Sequence, residues 1–491
     1  MSRGRVSTLS ASLLLGFYHL FSYLIAGATF PFWLIRDGRA GGGLSQRYGA
    51  VPRDIRQKTD RFGCIWMHAA SVGEVAVLTR VLPHLVSQTP ELPVVVTTMT
   101  STGRDRTRQL LRGQADHLYL PLDAPAFVNR TIKQLHPKVL IIAETELWPN
   151  LIRKVARYGA PIVMVNAKLS ARASRRYRWV GSGMKRILND ISVICVKSET
   201  DRERFVALGA EPGRVVVTGD LKYEPLPGVV DTPIDGRRHG LGLPTGRPVF
   251  TAGSTRQGEE AMVLDAFERA TRQVDDLLMI VAPRYPKRAD EVFELITARG
   301  VQCLRRTELL EGASAEGIEV LLLDTIGELE RFFAASDLAF VGGSLVPVGG
   351  HNLLEPAMYG VPILFGPFTD ETAGADSLLL ESSGGMRVAD GQSLGDAIAS
   401  LIGDTSMRLA MGESARKAVR RGRGALDGVI EHYRRALGVG TSEVRATRTD
   451  RGSRGPRADD IVIGIEADSG GDEFDADAVG DGNTRDVQDG N

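Results

Sequence analysis

LAFVGGSLVPVGGHNLLEPA, residues 338–357, is the stretch from which the fold can be read. Its first four residues form a short apolar run of the kind that makes a fully buried parallel strand. Gly342 and Gly343 end the run, and Gly349 and Gly350 open a second tight turn. A helix is expected from Asn352, with Pro356 still in its first turn, where a missing N–H costs little. Strand, glycine loop and helix start together make an anion site, because glycines let backbone amides approach a phosphate and a helix start carries partial positive charge. Glu355, one turn in, would accept hydrogen bonds from the hydroxyls of an attached ribose. The same spacing fits a plain capping box, with Asn352 as N-cap and Glu355 as its partner. Spacing alone does not choose between the two readings.

Working outward, the same rhythm recurs along the chain. Short apolar runs at 249–252, 277–282, 301–304, 320–323, 338–341 and 362–365 alternate with amphipathic stretches. An earlier series runs through 64–68, 93–97, 117–120, 139–143, 161–165, 192–196 and 215–218. Each series predicts an α/β, doubly wound parallel sheet of Rossmann type. Between them the chain becomes Pro/Gly-rich, PLPGVVDTPIDG, which reads as a linker. The expected organisation is therefore a membrane-anchor helix at 1–40, a first Rossmann-like domain at 41–222, a linker at 223–246 and a second Rossmann-like domain at 247–438. A disordered acidic tail at 439–491 completes it. Helices are expected through roughly 393–436. Two such domains leave a cleft between them, and that cleft is the default ligand site.

At 491 residues with 43% hydrophobic content, the chain can build two ordinary domains. Cys64, Cys195 and Cys303 lie far apart, each in an apolar run, which argues against a disulfide framework or a zinc site and for core positions in a reducing compartment. The formal net charge of zero hides an asymmetry: residues 459–491 hold 11 acids and one Arg, leaving the rest with 59 basic against 49 acidic residues. A mildly basic body suits an anionic substrate or a membrane surface, and falls short of what a nucleic-acid binder carries. Residues 6–35 contain no Lys, Arg, Asp or Glu, which makes them a membrane-anchor candidate. A secretory signal ending near Ala26-Gly27-Ala28 and an amphipathic, half-inserted helix are the competing readings.

Several strand ends carry residues fit for chemistry. After the first strand, Ser71-x-x-Glu74 is a capping box; it also puts a carboxylate where it could take a proton from an attacking hydroxyl. Glu144 and Glu146 follow another strand, and Lys222 follows the strand at 215–218, where it could offset charge on a leaving phosphate. Residues 168–186 hold seven basic side chains with Tyr177 and Trp179 interleaved, either a solvated face or a platform for anionic lipid or a phosphorylated acceptor. In the second half, the turn 253–259 (GSTRQGE), Arg284 after a strand, and Thr325-Ile326-Gly327-Glu328 are plausible nucleotide contacts. The chain has no GxxxxGK[ST] P-loop, no GxGxxG after the first strand of either half, and no HExxH, CxxC or DxD-type metal cluster.

With these motifs in view, about 32–436 resembles the 3-deoxy-D-manno-octulosonic acid (Kdo) transferases of lipid A assembly. The resemblance rests on ASVGE at 70–74, ETELWPN at 144–150, NAKLSARASRRY at 166–177, TGDLKYE at 218–224, GSTRQGEE at 253–260, APRYPKR at 282–288 and FVGGSLVPVGGHNLLEPA at 340–357. It implies a GT-B glycosyltransferase of two Rossmann-like domains, anchored at its N-terminus to the inner membrane with the catalytic body on the cytoplasmic side. The implied donor is CMP-Kdo and the implied acceptor lipid IV-A, with inversion by single displacement and no metal or other cofactor. Carried over by motif, Glu74 would be the general base, and Glu144 and Lys222 would support the transition state. Pro283, Arg284, Ile326, Gly327, Glu328, Asn352, Leu353, Leu354 and Glu355 would hold CMP. The chain departs from the family pattern where Arg256 and Tyr285 replace histidines and where 366–372 reads GPFTDET instead of GPHTFNF. Those departures keep open a catalytically silent nucleotide-sugar-binding protein on the same scaffold. The shared architecture keeps open a sugar-nucleotide epimerase.

Overall fold

The computed structural model describes residues 3–38, 43–111, 113–372, 374–420 and 424–438. The acidic tail read at 439–491 lies outside the described residues. Fourteen strands appear among them, in two wholly parallel sheets. The first contains Cys64–His68 (β1), Val94–Thr98 (β2), Asp116–Tyr119 (β3), Pro137–Ala143 (β4), Ile162–Ala167 (β5), Val193–Val196 (β6) and Val215–Val217 (β7), in the order β3-β2-β1-β4-β5-β6-β7. The second contains Val249–Thr255 (β8), Leu278–Pro283 (β9), Cys303–Arg305 (β10), Val320–Leu322 (β11), Leu338–Val341 (β12), Ile363–Phe365 (β13) and Gly385–Arg387 (β14), in the order β10-β11-β9-β8-β12-β13-β14. This is the two-Rossmann, GT-B arrangement the sequence leads one to expect. Central strands such as β1, β2, β5, β9 and β12 are buried at every position, as strands covered by helices on both faces must be.

The strand order reverses direction between β1 and β4 in the first sheet and between β8 and β12 in the second. Such a switch point leaves a crevice at the strand C-termini because the flanking helices diverge there. Glu74 and Glu144 follow β1 and β4; Arg256 and Gly342 follow β8 and β12.

Three elements differ in detail from the sequence reading. The edge strand β14 has no counterpart in it, and the linker contains a short helix, Ile234–His239. That helix is pinned by buried Arg238, which donates to the carbonyls of Ala335 and Arg247 and to Asp337. The last described helix, Ala425–Leu437, puts Ala425, Val429 and Tyr433 into the core beneath the first sheet, with Tyr433 Oη 2.9 Å from Thr89 Oγ1. All three cysteines are free thiols, two buried and one partly so.

The N-terminal helix, Arg3–Gly38, contains an apolar stretch, Gly16–Ile35, long enough to cross a membrane by length and composition. One of its faces is docked on the body. Tyr18 Oη donates to Asp123 Oδ2 (2.9 Å), the Ala126 amide donates to Tyr23 Oη (3.0 Å), and Tyr48 Oη donates to the Ala26 carbonyl (2.9 Å). The Trp33 ring lies 3.7 Å from the buried Arg47 guanidinium. Phe17, Leu20, Leu24, Phe32 and Ile35 stay exposed.

Candidate active site

Glu74 stands in the first turn of helix Val72–Gln88, capped by Ser71 in extended conformation. Ser71 Oγ donates to Glu74 Oε1 (2.8 Å) and the Ala70 amide donates to Oε2 (2.7 Å). The capping-box reading is realised only in part: Ser71 Oγ accepts the Glu74 amide (3.4 Å), but the Glu74 carboxylate takes the Ala70 amide in place of that of Ser71, and the residue is 8% exposed. Two hydrogen bonds use only part of its acceptor capacity, so the group can be capped and still take another proton. Burial raises its pKa, against the pull of Ser71 and Ala70.

Glu144 follows β4 in the left-handed region, at φ 56°, a conformation a non-glycine residue adopts only when its surroundings hold it there. Its amide donates to the Val165 carbonyl (2.8 Å). Its carboxylate faces three ammonium groups: Lys168 at 2.9 Å, Lys222 at 3.2 Å and Lys197 at 4.0 Å. Burial works to raise its pKa, but the hydrogen bond from Lys168 and the three positive charges outweigh it, so Glu144 stays ionised. Lys197 also pairs with Asp220 at 2.8 Å. Lys222 is placed by its neighbours, since its own amide donates to Asp220 (2.9 Å) and the Leu221 amide donates to the fully buried Asn166 (2.8 Å). Lys168 and Lys197 are parts of this cluster that motif reading does not select. Glu146, the second acid read after this strand, lies beside them: Trp148 Nε1 donates to it (3.0 Å), and its pKa is pushed up to about 7 by burial, by the charge of Glu74 and by that of Glu144.

On the second lobe, Arg284 is exposed after Pro283, its amide donating to the Thr255 carbonyl (3.0 Å). Arg256 and Arg284 flank the Tyr285 ring at 4.8 and 5.9 Å. Arg256 Nε donates to His351 Nε2 (3.0 Å), and burial with the charges of Arg256 and Arg284 pushes His351 down to about 4. His351 is thus a neutral ring between two cations.

The glycine loop differs from the expected phosphate cradle. The fully buried Glu259 carboxylate already accepts the amides of Gly343 (2.8 Å), Ser344 (3.1 Å) and Leu345 (2.9 Å). These donors face an internal anion, so a ligand phosphate must rely on other groups. The helix after the loop is only Leu354–Met358, starting two residues later than expected. Asn352 still acts locally, accepting the Leu354 amide (3.2 Å) and donating to Glu355 (3.3 Å). Leu353 and Leu354 bury their side chains in the core, so only their backbone can meet a ligand. Glu355 is pushed up to about 7 by burial and by the charge of Glu330, against the positive charges of Arg80 and Arg284. Ile326 is exposed and Gly327 sits at φ 86°, while the Glu328 carboxylate is committed to Arg306 (3.0 Å). Among the described residues no group of three or more His, Cys, Asp or Glu could hold a metal ion.

A family model described as 3-Deoxy-D-manno-octulosonic-acid transferase (kdotransferase) matches residues 42–225. A 3-deoxy-D-manno-octulosonic acid transferase from Haemophilus influenzae is 33% identical over 372 residues, covering 75% of this chain and 86% of that protein. Its namesake from Bordetella pertussis is 32% identical over 401 residues, covering 78% and 90%. Among solved structures, a C-terminal CMP-Kdo binding domain from Acinetobacter baumannii is 29% identical, with a TM-score of 0.36, over 39% of this chain and 98% of that one.

Proposed function

The chain belongs to the 3-deoxy-D-manno-octulosonic acid transferase family, and from that premise we propose that it moves Kdo from CMP-Kdo to lipid IV-A with inversion. The carrying observation is Glu74, a capped carboxylate after β1 at the switch point next to Glu144, with unused acceptor capacity. In the proposed step the acceptor hydroxyl oxygen bonds to the anomeric carbon while its proton passes to Glu74. The bond from that carbon to the CMP phosphate oxygen breaks, and CMP leaves with the electron pair. A pKa raised by burial makes Glu74 a better proton acceptor than an ordinary carboxylate. Glu144 holds Lys168, Lys197 and Lys222 as one cationic group, which offsets negative charge where it develops. Pro283, Arg284, Ile326, Gly327, Glu328 and residues 352–355 form the nucleotide side. Leu353 and Leu354 contribute backbone there, and the proposal needs no metal.

We place the protein on the cytoplasmic face of the inner membrane. The N-terminal helix lies along the body from Tyr18 to Trp33, about 22 Å at the helical rise, so this docked stretch runs alongside the body and lies in the bilayer interface without crossing it. Its exposed apolar face, and Trp179 (92% exposed) with Arg172, Arg175, Arg176 and Arg178, supply the apolar and basic groups that such a surface requires.

The test is transfer by the detergent-purified chain from CMP-Kdo to lipid IV-A, read by product mass. Transfer is expected, with Glu74→Gln reducing it by about 10²–10⁴-fold. Absence of transfer with CMP still bound would leave a silent binding protein. Full activity in Glu74→Gln would remove the assigned base.

A further inference from the structure

The nucleotide side of the site is held from across the cleft. Arg106 projects from helix Ser101–Leu110, which follows β2 in the first lobe. Its Nη1 donates to the Ile326 carbonyl (3.1 Å) and its Nη2 to the Gly327 carbonyl (2.9 Å). Gln109 steadies the same guanidinium at 3.0 Å. Gly327 is left-handed, which favours glycine, and a Cβ built on it would overlap the Arg106 guanidinium, so a side chain there would displace Arg106 from these carbonyls. One helical turn on, Arg80 from helix Val72–Gln88 meets Glu330 at 2.7 and 2.8 Å, and Tyr359 Oη donates to the same carboxylate (2.8 Å). Arg80 is 4% exposed and is itself anchored by the Glu224 and Ala76 carbonyls.

A peptide plane points its C=O and N–H in opposite directions. With the carbonyls of Ile326 and Gly327 drawn to Arg106, the amides of Gly327 and Glu328 are turned away from it. Neither makes a hydrogen bond among the described residues. Within its own lobe the segment is fastened by Glu328 to Arg306 and to Thr325. Arg106 is the first-lobe group that fixes the remaining freedom of residues 326 and 327.

We propose that Arg106 is a positioning residue for the donor: it sets the 326–328 backbone for the nucleotide and makes donor affinity depend on the two lobes being together. The proposal rests on the reading that Ile326, Gly327 and Glu328 hold CMP. Arg106 touches neither reacting atom, so its loss acts through that loop.

The test uses the full chain in detergent, with CMP titrated calorimetrically and with steady-state kinetics in CMP-Kdo. Arg106→Ala should weaken CMP binding and raise the CMP-Kdo KM by about tenfold, two hydrogen bonds from a charged donor being lost. The acceptor KM and the thermal midpoint should hold. Arg106→Lys, keeping the charge and one bond, should recover part of the affinity. Gly327→Ala should mimic Arg106→Ala in the parent, whereas in the Arg106→Ala background it should add only the strain of its left-handed backbone. Unchanged CMP affinity in Arg106→Ala, or a loss that only follows a lowered thermal midpoint, would overturn the proposal and leave the nucleotide assignment standing. Failure of the parent chain to bind CMP would overturn the assignment beneath it.

Discussion

Replacing Glu146 with glutamine should stabilise the protein at pH 8 and do little at pH 5. The carboxyl is pushed up to about 7 from an ordinary 4.5 by burial and by the charges of Glu74 and Glu144, with the Trp148 indole working the other way. Glu74 ionises first, and Glu146 then titrates against its charge. Between the two pKa values the folded state binds a proton that the unfolded state has released. Stability therefore falls as pH rises through that window and levels off above it. At about 1.4 kcal/mol per pH unit the full penalty would be about 3 kcal/mol; screening at this half-buried position reduces it to about 2 kcal/mol. The amide of a glutamine side chain is uncharged, and its oxygen can still accept the Trp148 N–H, so the substitution removes the penalty with little change of shape.

Thermal melts of the detergent-purified chain and the Glu146→Gln variant at the two pH values read this difference. At pH 5 only about a quarter of the gain should be present. At pH 8 about 2 kcal/mol corresponds to about 2 °C if the body melts as one unit, or about 5 °C if the first lobe melts alone. A variant no more stable than the parent at pH 8, or equally stabilised at both pH values, would refute the argument, because the effect could not then come from an ionised Glu146 facing Glu74.

Two further outcomes follow from the surfaces around the cleft. Neutralising Arg175, Arg176 and Arg178 to glutamine together with Trp179→Ala should weaken flotation with vesicles rich in anionic lipid and raise the acceptor KM while the donor KM holds. An unchanged acceptor KM would return this face to plain solvated surface. Arg256→Ala removes the cation bonded to His351 and stacked near Tyr285, and should raise the CMP-Kdo KM about tenfold, the worth of one charge-assisted contact; equal KM values in variant and parent would take Arg256 out of the donor site.

The strands that the sequence makes legible are those whose burial is continuous. β1 and β12 can be read to the residue, because CIWMH and LAFV are apolar runs ended by small residues, and both are buried throughout. β14, Gly385–Arg387, is invisible: an edge strand of three residues with one apolar side chain has no periodicity to detect. The Ile234–His239 helix hides inside a Pro/Gly-rich stretch, where local composition argues for a turn and tertiary anchoring of Arg238 decides otherwise. The helix Ala425–Leu437 shows its apolar face in sequence, but an amphipathic face does not name its partner, and here the partner is the first sheet's core.

The site is legible wherever function and spacing share one segment, as in Ser71-x-x-Glu74, and illegible wherever it is assembled across the sheet. Lys222 is selected by its motif and Lys168 only as part of a basic segment, Lys197 is not selected at all, and nothing in the sequence joins the three. They converge on Glu144 because β4, β5, β6 and β7 lie side by side and parallel, so the residues after each strand emerge along one edge at the roughly 5 Å strand spacing. The Glu259 carboxylate reaches the amides of Gly343 to Leu345 by the same logic. It follows β8, the glycines follow β12, and those strands are neighbours despite the long stretch of chain between them. A phosphate cradle inferred from glycines alone therefore omits the anion that the adjacent strand supplies. With those amides taken by Glu259, the donor's charge in the proposed reaction would fall to Arg256 and Arg284, so on that proposal their substitution, more than that of the glycines, should change donor affinity.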